Sequence, residues 1–324
     1  MRTEAIFRAL ADPTRLRVLR LLGSMELAVG ELAQALGQSQ PRVSRHVGIL
    51  CEAGLAHRRR EGSWTFLRAG GEECSLEPEI DALLARAERI DDAFARQCET
   101  DRRKLAEIRE RRESLAENYF AEHAGDWDEL RRLHSSDEAV ERALAKALGE
   151  GRLGRLLDIG TGTGRMAELF ATRADHLVAL DKSLAMLRVA RAKLQHLPPE
   201  QVELVQGNFA ELPFPDDAFD TVMFHQVLHF AQSPVAVLTE AARVTRPGGR
   251  IAIVDFAAHQ HEELRERHAH ARLGFADDQM NELLCKAGFE PAEPVALDDG
   301  ELVVKIWIAT RQTAPAIARK RAQS

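Results

Sequence analysis

Three glycines at alternate positions, followed at a distance by an aspartate, are the residues whose spacing most directly suggests ligand chemistry. The apolar run Gly154–Ile159 leads into Gly160-Thr161-Gly162-Thr163-Gly164, and a helical pattern follows from Arg165. Strand, glycine loop and helix in this order let the backbone approach a nucleotide-like ligand. Asp181 ends the next apolar run, where a carboxylate can accept hydrogen bonds from both ribose hydroxyls. The dinucleotide fingerprint Gly-x-Gly-x-x-Gly is not met, because Arg165 stands at its sixth position.

Several side chains after this loop could move a proton. A histidine or carboxylate of suitable pKa can act as a general base, but a lone histidine is more often simply packed or exposed. The sequence does not single out one of them, so catalytic residues stay unassigned. The four candidates are His225, His229, Asp255 and His259.

A metal site is not expected. The four cysteines are scattered without Cys-x-x-Cys pairing, which argues against a disulfide framework and a closed zinc site. His261, His268 and His270 could hold a metal only weakly on an exposed helix, since zinc-binding helical spacing is missing between residues 259 and 270.

Polar and basic residues near the amino terminus have the arrangement of a nucleic-acid reader. Val29–Leu36 predicts a short helix, Gly37 a turn, and Gln38–Leu55 a second helix with a polar outer face. On that face Arg45 could reach guanine edges, Gln40 adenine edges and Ser44 phosphate or base. The predicted contacts of this helix are Gln38, Ser39, Gln40, Arg42, Ser44, Arg45 and His46.

The segment after this helix predicts a basic β-hairpin. Ala56–Leu67 alternates as strands do, with Glu61-Gly62 in the turn. Arg58, Arg59 and Arg60 could contact the DNA backbone and add affinity without sequence information. The alternative is a solvated run of charge on a small helical domain.

Charge is distributed unevenly along the chain, whose formal net charge is −7. Residues 1–71 hold 11 Arg against 6 Asp and Glu, whereas residues 72–150 hold 13 basic against 22 acidic residues. A basic head on an acidic body suggests an anionic partner for the head alone. No run of 18 uncharged apolar residues occurs, so we expect no membrane span and no membrane partner. The first residues lack a signal-peptide pattern, which makes a cytoplasmic protein the expectation.

The elements that would carry these residues divide into two different architectures. Residues 4–22 predict two helices separated at Asp12-Pro13, and residues 78–98 predict a longer helix inside a charged connector, with a loosely ordered linker as the alternative. From Gly154 onwards strands and helices alternate as in a doubly wound sheet. The final strands around Asp298-Asp299-Gly300 predict an antiparallel hairpin that closes the sheet.

The amino-terminal motifs resemble one regulator family. ALADPTRLRVLRLL, GELAQALGQSQPRVSRHVGILCEAGL and RREGSWTFLR look like the arsenic-repressor (ArsR/SmtB) winged-helix family over about residues 4–69. The resemblance implies a homodimer, formed through the helix after the wing, that binds an inverted-repeat operator in double-stranded DNA. The family's thiolate metal sensor is missing, because Ala28 and Gly30 stand where its cysteines would be.

The carboxyl-terminal motifs resemble a second family. LLDIGTGTGRM, LDKSLAML, GNFAELPFPDDAFDTVMFHQVLHF and EAARVTRPGGRIAIVDF look like class I S-adenosylmethionine-dependent methyltransferases from about Tyr119 to Ile308. The resemblance implies that Asp181 holds the ribose and that Met186 packs on the adenine. Asn208 departs from the family's usual Asp, but its carbonyl can still face the adenine amino group. The cofactor-binding residues implied are Asp158, Gly160, Thr161, Gly162, Gly164, Asp181, Lys182, Met186, Asn208, Phe209 and His225.

Together these features predict a multidomain protein. We expect a winged-helix domain at residues 1–71, a helical dimerisation connector at 72–117, a Rossmann-like methyltransferase fold at 118–310 and a disordered tail at 311–324.

Three functions fit this organisation. The first is a repressor that senses S-adenosylmethionine or S-adenosylhomocysteine, resembling S-adenosylhomocysteine-responsive regulators. The second is a methyltransferase with a small-molecule acceptor and an attached regulatory winged helix. The third is a regulator that responds to another ligand. Amino-methylation of DNA bases is disfavoured by the sequence after the fourth strand, His225-Gln226-Val227-Leu228, and arsenite methylation by the single cysteine, Cys285, in this domain.

Overall fold

The computed structural model describes residues 2–23, 26–61, 64–70, 77–128, 137–198, 200–298 and 300–313. Two compact units make up the chain. Unit 1 comprises Met1–Ala116 and Gln260–Arg267, and unit 2 comprises Glu117–His259 and His268–Ser324. The inclusion of Gln260–Arg267 in unit 1 was not expected from the sequence, which placed that stretch within the methyltransferase region. Cys74 and most of the expected tail lie outside the described residues.

Unit 1 begins with four helices. Their bounds are α1 (Arg2–Leu10), α2 (Pro13–Leu22), α3 (Val29–Leu36) and α4 (Gln40–Glu52). The Asp12 carboxylate accepts a hydrogen bond from the Arg15 backbone N–H at 3.0 Å and so caps α2, as the Asp12-Pro13 pair predicts. Gly37 ends α3 at φ +64°, a conformation that favours glycine and allows the tight turn into α4.

A small sheet completes this helical group. Strands β1 (Leu27–Ala28), β2 (Ala56–Glu61) and β3 (Trp64–Ala69) are antiparallel in the order β1-β3-β2. Glu61 pairs with Trp64 in the β2–β3 register, so Glu61 belongs to a strand, whereas Gly62, the other residue of the predicted turn, lies outside the described residues. The unit is therefore a winged helix-turn-helix, with β2 and β3 forming the wing.

Two further helices follow the wing, where the sequence predicted one helix over residues 78–98. Helix α5 (Glu77–Ile90) ends at Ile90, and α6 (Asp92–His123) begins two residues later and continues across the boundary between the units. The Asp91 carboxylate accepts hydrogen bonds from the N–H groups of Ala93 and Phe94 at 2.9 and 3.1 Å. This capping satisfies the first free donors of α6 and explains why the helical pattern breaks there.

Unit 2 is an α/β domain. The segment after α6 enters α7 (Asp137–Ala147), β4 (Gly154–Ile159), α8 (Arg165–Phe170), β5 (Ala174–Asp181) and α9 (Leu184–Leu194). The chain then forms β6 (Val202–Gln206), β7 (Phe219–His225), α10 (Pro234–Val244) and β8 (Thr245–Phe256). After α11 (Glu262–Arg267), which is counted with unit 1, come α12 (Asp277–Lys286), β9 (Phe289–Pro291), β10 (Val295–Leu297) and β11 (Val304–Arg311).

The strands of unit 2 form one mixed sheet. Its order is β10-β11-β8-β7-β4-β5-β6, with β9 also paired to β11. Strands β4 to β8 are parallel, whereas β11 runs antiparallel to β8, as the sequence predicts for the closing strand. The strand order reverses direction between β4 and β7, and ligands of doubly wound sheets bind at the carboxyl ends of such neighbouring strands.

Large apolar side chains fill the interior of this sheet. Phe219, Phe224, Phe289 and Trp307 are fully buried in one core cluster. Burial on both faces explains why β4, β5, β7 and β8 read as nearly continuous apolar runs in the sequence. No helix in the described part of the chain is both long enough and apolar enough to cross a membrane.

Candidate functional site

The glycine loop after β4 depends on its glycines for conformation and for space. Gly160, Gly162 and Gly164 have φ angles of +70°, +54° and +83°, which side-chain-bearing residues rarely adopt. A Cβ atom on Gly160 would lie 2.5 Å from Cγ2 of Val227, in the segment that follows β7. The loop therefore lies directly against the chain that leaves the neighbouring strand.

Asp181 lies beside this loop, at the carboxyl end of β5. Its Oδ2 accepts a hydrogen bond from the Gly162 N–H at 2.9 Å, and its Oδ1 accepts one from the Ser183 N–H at 2.8 Å. Burial raises the pKa of the Asp181 carboxyl, and the backbone hydrogen bonds oppose that effect. The sequence prediction that the loop and Asp181 form one site is consistent with this contact.

Asp158 and Thr161 hold the start of the loop. Asp158 is 1% exposed, and one of its carboxylate oxygens accepts a hydrogen bond from the Thr161 hydroxyl at 2.6 Å. A buried carboxylate needs such donors, because removing its charge from water is costly. The pair therefore keeps an acidic group beneath the loop at the end of β4.

A segment before α7 covers the loop, and sequence reasoning did not identify it. The Thr163 hydroxyl donates to Asp128 Oδ1 and the Lys193 ammonium to Asp128 Oδ2, both at 2.6 Å. The indole Nε1 of Trp127 lies 3.5 Å from the position of a Cβ on Gly162. The isolated Trp127-Asp128 pair was the available signal, but nothing in its spacing links it to residues 161–164.

The residues expected to surround the adenine differ from one another in burial and in their hydrogen-bond partners. Met186 is buried on α9, and Phe209 packs against the main core. The side-chain carbonyl of Asn208 accepts the Ala210 N–H at 2.9 Å, which stabilises a local turn. The Lys182 ammonium pairs with Glu117 at 2.6 Å, so Lys182 connects the end of β5 to α6.

The end of β7 holds the first of the four candidate bases. His225 is 7% exposed, and the next residue, Gln226, has φ +54°. A non-glycine residue in this region is uncommon, and such conformations cluster at functional sites. The Gln226 N–H donates to the Val254 carbonyl at 2.7 Å, which fixes the turn against β8.

Two of the other candidates, His229 and Asp255, form a buried pair. His229 Nδ1 lies 2.7 Å from Asp255 Oδ1, and the side chains are 2% and 0% exposed. Asp255 also accepts the backbone N–H groups of His229 at 3.1 Å and Phe256 at 2.8 Å. The fourth candidate, His259, has its ring edge-on to Phe256 with the centroids 6.1 Å apart.

Aromatic rings extend from this pair towards the glycine loop. The Phe230 ring lies 4.0 Å from that of His229 and 4.8 Å from that of Phe120, measured between centroids. Phe120 in turn lies 5.3 Å from Trp127, which reaches Gly162. The His270 ring stacks on that of His229 with the centroids 4.1 Å apart and lies 5.2 Å from the Phe230 ring. We call Phe120, Trp127, Phe230 and His270 the aromatic wall.

The recognition helix α4 in unit 1 separates apolar from polar residues by face. Val43, Val47 and Leu50 are completely buried, whereas the residues expected to contact DNA mostly face solvent. Among those, Gln38 is half-buried, with its amide 3.4 Å from the Thr14 hydroxyl, and His46 Nδ1 lies 3.6 Å from Asp12. The exposed members are Ser39, Gln40, Arg42, Ser44 and Arg45.

The three wing arginines differ in their environment. Arg58 and Arg60 are exposed on β2, whereas Arg59 points to the opposite face and is half-buried. The Arg59 guanidinium donates to both carboxylate oxygens of Glu26 at 3.1 Å and lies over the Phe66 ring. Arg59 thus has a role in holding β2 against the rest of unit 1, which its sequence did not reveal.

Fold and sites define the class of protein: a winged helix-turn-helix domain followed by a Rossmann-like methyltransferase fold. Comparison with protein families gives both parts a more specific description. Residues 12–58 match the helix-turn-helix of the bacterial regulatory protein, arsR family. Residues 157–253 match the methyltransferase domain family. The chain thus contains an arsR-family helix-turn-helix and a methyltransferase domain, as the sequence motifs predict.

Curated relatives match part of this chain. A demethylmenaquinone methyltransferase of Clavibacter sepedonicus is 40% identical over 119 residues, which are 37% of this chain and 46% of the relative. A phosphatidylethanolamine N-methyltransferase of Cereibacter sphaeroides is 40% identical over 108 residues, 33% of this chain and 53% of the relative. The chain spans about half the length of the curated relatives it matches.

Solved structures show the same fold at lower identity. A putative methyltransferase of Haloferax volcanii, in complex with the Trm112 activator, aligns with a TM-score of 0.50 and 21% identity. That alignment covers 60% of this chain and 98% of the other. A 1,6-didemethyltoxoflavin-N1-methyltransferase of Burkholderia thailandensis aligns with TM-score 0.50 and 21% identity over 62% and 88% of the two chains. At this identity the likeness concerns the fold alone.

Proposed function

We propose that the protein is a DNA-binding transcriptional regulator, acting as a repressor, whose second domain binds S-adenosylmethionine or S-adenosylhomocysteine as its effector. The observation that carries the proposal is the presence, in one chain, of an exposed recognition-helix face and a glycine loop bonded to Asp181. Each feature alone has many uses. Their combination suits a protein whose affinity for DNA depends on whether a small molecule is bound.

The loop fits an adenosyl sulfur ligand chemically. Its three glycines leave the backbone open to close approach, and the Asp181 carboxylate can accept both ribose hydroxyls. Asp158 lies beneath the loop, where its charge complements an amino group or a sulfonium. When bound, S-adenosylmethionine supplies a methyl group that is already activated for transfer. The residues that would hold either ligand are those that the methyltransferase resemblance implies.

DNA would be held by unit 1. The exposed side chains of α4 enter the major groove in a helix-turn-helix, and the exposed arginines of the wing meet phosphates. Arg45 is the residue we assign to base recognition, and Arg58 and Arg60 to backbone contact. Arg59 is left out of this assignment because it pairs with Glu26.

Dimerisation would bring two recognition helices onto an inverted repeat. Helices α1 and α5 expose large apolar side chains, with Phe7 69%, Leu83 59% and Ile90 79% accessible in the single chain. Apolar side chains of this size are rarely left so exposed in a monomer, which supports a second copy of the chain as their partner. A two-fold dimer reads an inverted repeat, because the operator mirrors the symmetry of the protein.

Effector and DNA binding must be coupled through states that differ in affinity for both. A ligand shifts DNA affinity only if it binds the two conformations unequally. The chain connects the two units covalently in two places. Helix α6 continues from unit 1 into unit 2, and Gln260–Arg267 belongs to unit 1 although the residues before and after it belong to unit 2. We infer that ligand binding changes the conformation of one of these connections.

The decisive experiment measures both ligands and DNA with the full chain. Calorimetry with S-adenosylmethionine and S-adenosylhomocysteine gives the affinity of each. Fluorescence anisotropy at fixed salt then gives the affinity for a duplex that the protein itself selects from a random library, with and without each ligand. We expect micromolar or tighter ligand binding that changes DNA affinity by about 5- to 150-fold. Tight ligand binding with unchanged DNA affinity would contradict the effector role.

An active small-molecule methyltransferase with an attached regulatory domain is the second candidate function. The buried His229–Asp255 pair favours it, because a sensor has no need of a proton acceptor. The relatives named above are methyltransferases of small molecules or lipids, which supports the same reading for this domain.

A further inference from the structure

We propose that His229 is a general base, oriented by Asp255, for a planar acceptor that carries an ionisable hydroxyl, such as a phenol. This inference rests on the proposed binding of an adenosyl sulfur ligand and adds a chemical step to it. The acceptor would lie against the aromatic wall, between the glycine loop and the His229 ring.

The topology brings the pair to the ligand-binding edge of the sheet. Strands β4, β7 and β8 are parallel neighbours, so their carboxyl ends meet at one edge. Asp255 lies at the end of β8 and His229 in the short helix after β7, while the glycine loop follows β4. Because adjacent strands are about 5 Å apart, the pair lies within about 10 Å of the loop along the sheet. Val227, which the Gly160 position contacts, is two residues before His229.

The hydrogen bonds assign the proton on the imidazole. An ionised carboxylate only accepts hydrogen bonds, so the 2.7 Å contact with Asp255 requires a proton on His229 Nδ1. The neutral ring then carries its lone pair on Nε2. Within the described residues no group donates to Nε2, so its lone pair can take up a proton.

The burial of His229 and Asp255 suits a general base and restricts the kind of acceptor that can use it. His229 and Asp255 are almost fully removed from water, so a proton that reaches Nε2 must come from a group bound in the site. Tyr119, Phe120, Trp127 and Phe230 are only half-buried, so part of each ring stays open to contact. Aromatic surfaces favour a planar partner in edge or stacked geometry. A neutral amine needs no base before methylation, whereas a hydroxyl does, which favours a phenol.

Other charged and titratable groups lie near the pair. His225 ends β7, His270 stacks on the His229 ring with the centroids 4.1 Å apart, and the Arg272 side chain reaches the Gln232 carbonyl. Tyr119 bonds to His268 through its hydroxyl at 2.7 Å, and burial raises the pKa of Tyr119. Tyr119 therefore stays protonated at neutral pH.

The step balances as follows. The acceptor hydroxyl gives its proton to His229 Nε2, and its oxygen forms a bond to the methyl carbon. The carbon–sulfur bond breaks at the same time, and its electron pair stays on sulfur. The products are a methyl ether, S-adenosylhomocysteine and an imidazolium whose charge is offset by Asp255. The imidazolium then returns its proton to solvent as the product leaves.

The test uses umbelliferone, a planar phenol whose absorption moves to longer wavelength when it ionises. Full-length protein is titrated with it at neutral pH, with and without S-adenosylhomocysteine, which cannot donate a methyl group. We expect the bound probe to be ionised. In Asp255→Asn the amide can donate to Nδ1 and move the ring proton to Nε2, so the probe should bind with similar affinity in its neutral form. His229→Gln should give the same result, and the exposed control His196→Gln should behave like the unmodified protein.

Turnover with S-adenosylmethionine supplies the second readout. Mass spectrometry should detect the methyl ether, and either substitution should lower its rate by about 10²- to 10⁴-fold. Wild-type protein that leaves the probe unbound, or binds it neutral, overturns the general-base proposal. If calorimetry detects no binding of S-adenosylhomocysteine, the proposed function is overturned instead. The umbelliferone titration without that ligand then still tests whether His229 acts as a base. Thermal unfolding of each variant identifies loss of signal through misfolding, in which case the wild-type spectrum decides.

Discussion

Asp181 shows how a single side chain can both order a loop and bind a ligand. Its two oxygens accept the N–H groups of Gly162 and Ser183, so the carboxylate holds the loop and the start of α9 together. Each oxygen has a further lone pair, which a ribose hydroxyl can use without breaking these bonds. The loop is thus ordered by contacts within the protein itself, which reduces the ordering cost of ligand binding.

Substituting Asp181 tests this organisation. Asp181→Ala removes two charge-assisted acceptors, each contributing about 1.5–3 kcal/mol, so affinity for S-adenosylhomocysteine should fall at least about 10-fold by calorimetry. DNA binding should persist in the variant, because unit 1 holds the recognition helix. Loss of DNA binding together with ligand binding, at unchanged melting temperature, would contradict the separation of the two sites.

Arginines of the first domain should divide into two classes. Arg45→Ala should weaken the selected duplex by about 1–3 kcal/mol and relax base preference, because a bidentate contact to guanine is lost. Arg58→Ala should weaken selected and scrambled duplexes equally and reduce the salt dependence of binding. Anisotropy at several salt concentrations measures both. Equal weakening of both duplexes by Arg45→Ala would show that the recognition helix is wrongly assigned.

At the scale of elements, an ion-pair network ties α2 to the two helices after the wing. Glu88 of α5 accepts from Arg20 at 2.9 Å and from Arg102, and Arg17 donates to both oxygens of the buried Asp101 on α6. The hydrogen bond from Arg102, aided by Arg20, lowers the pKa of Glu88. Stability from Glu88 is therefore present above the ordinary glutamate pKa and is lost as pH falls through the lowered value.

Glu88→Gln should reveal that dependence. At neutral pH the variant should lose about 1 kcal/mol of unfolding free energy, and the difference from wild type should shrink towards zero in acid. Urea unfolding at several pH values gives both quantities. Glu99→Gln is the matched control, since Glu99 also pairs with Arg102 but is 71% exposed and should change stability little. A constant difference across pH would assign the effect to packing.

The order of elements was largely predictable, whereas contacts between distant elements were not. Strand–glycine loop–helix and the helix-turn-helix are local patterns, because the residues of each motif are consecutive or nearly consecutive in the sequence. The Trp127-Asp128 segment over the glycine loop, the Arg59–Glu26 pair and the His229–Asp255 bond join residues 26 to 35 positions apart. Composition and periodicity carry no information on such pairings. The break at Asp91 was missed because the apolar spacing continues through it.

For the whole molecule, the proposed function makes operator recognition depend on self-association. Ile90→Glu places a charge on the exposed apolar surface of α5 and should shift the protein to monomers. Affinity for an inverted repeat should then fall to that of a half-site. Sedimentation velocity and anisotropy measure these effects, with Glu107→Lys on the charged part of α6 as control. A dimeric Ile90→Glu variant would place the dimer contact elsewhere.

The close approach of Gly160 to Val227 restricts which substitutions the two positions tolerate in laboratory evolution. A methyl group at position 160 would collide with Cγ2 of Val227, and the left-handed backbone adds about 1–2 kcal/mol for any L-residue. Damage from Gly160→Ala should therefore be partly relieved by Val227→Ala but by few changes elsewhere. A selection for suppressors of Gly160→Ala should therefore recover substitutions at position 227 more often than elsewhere.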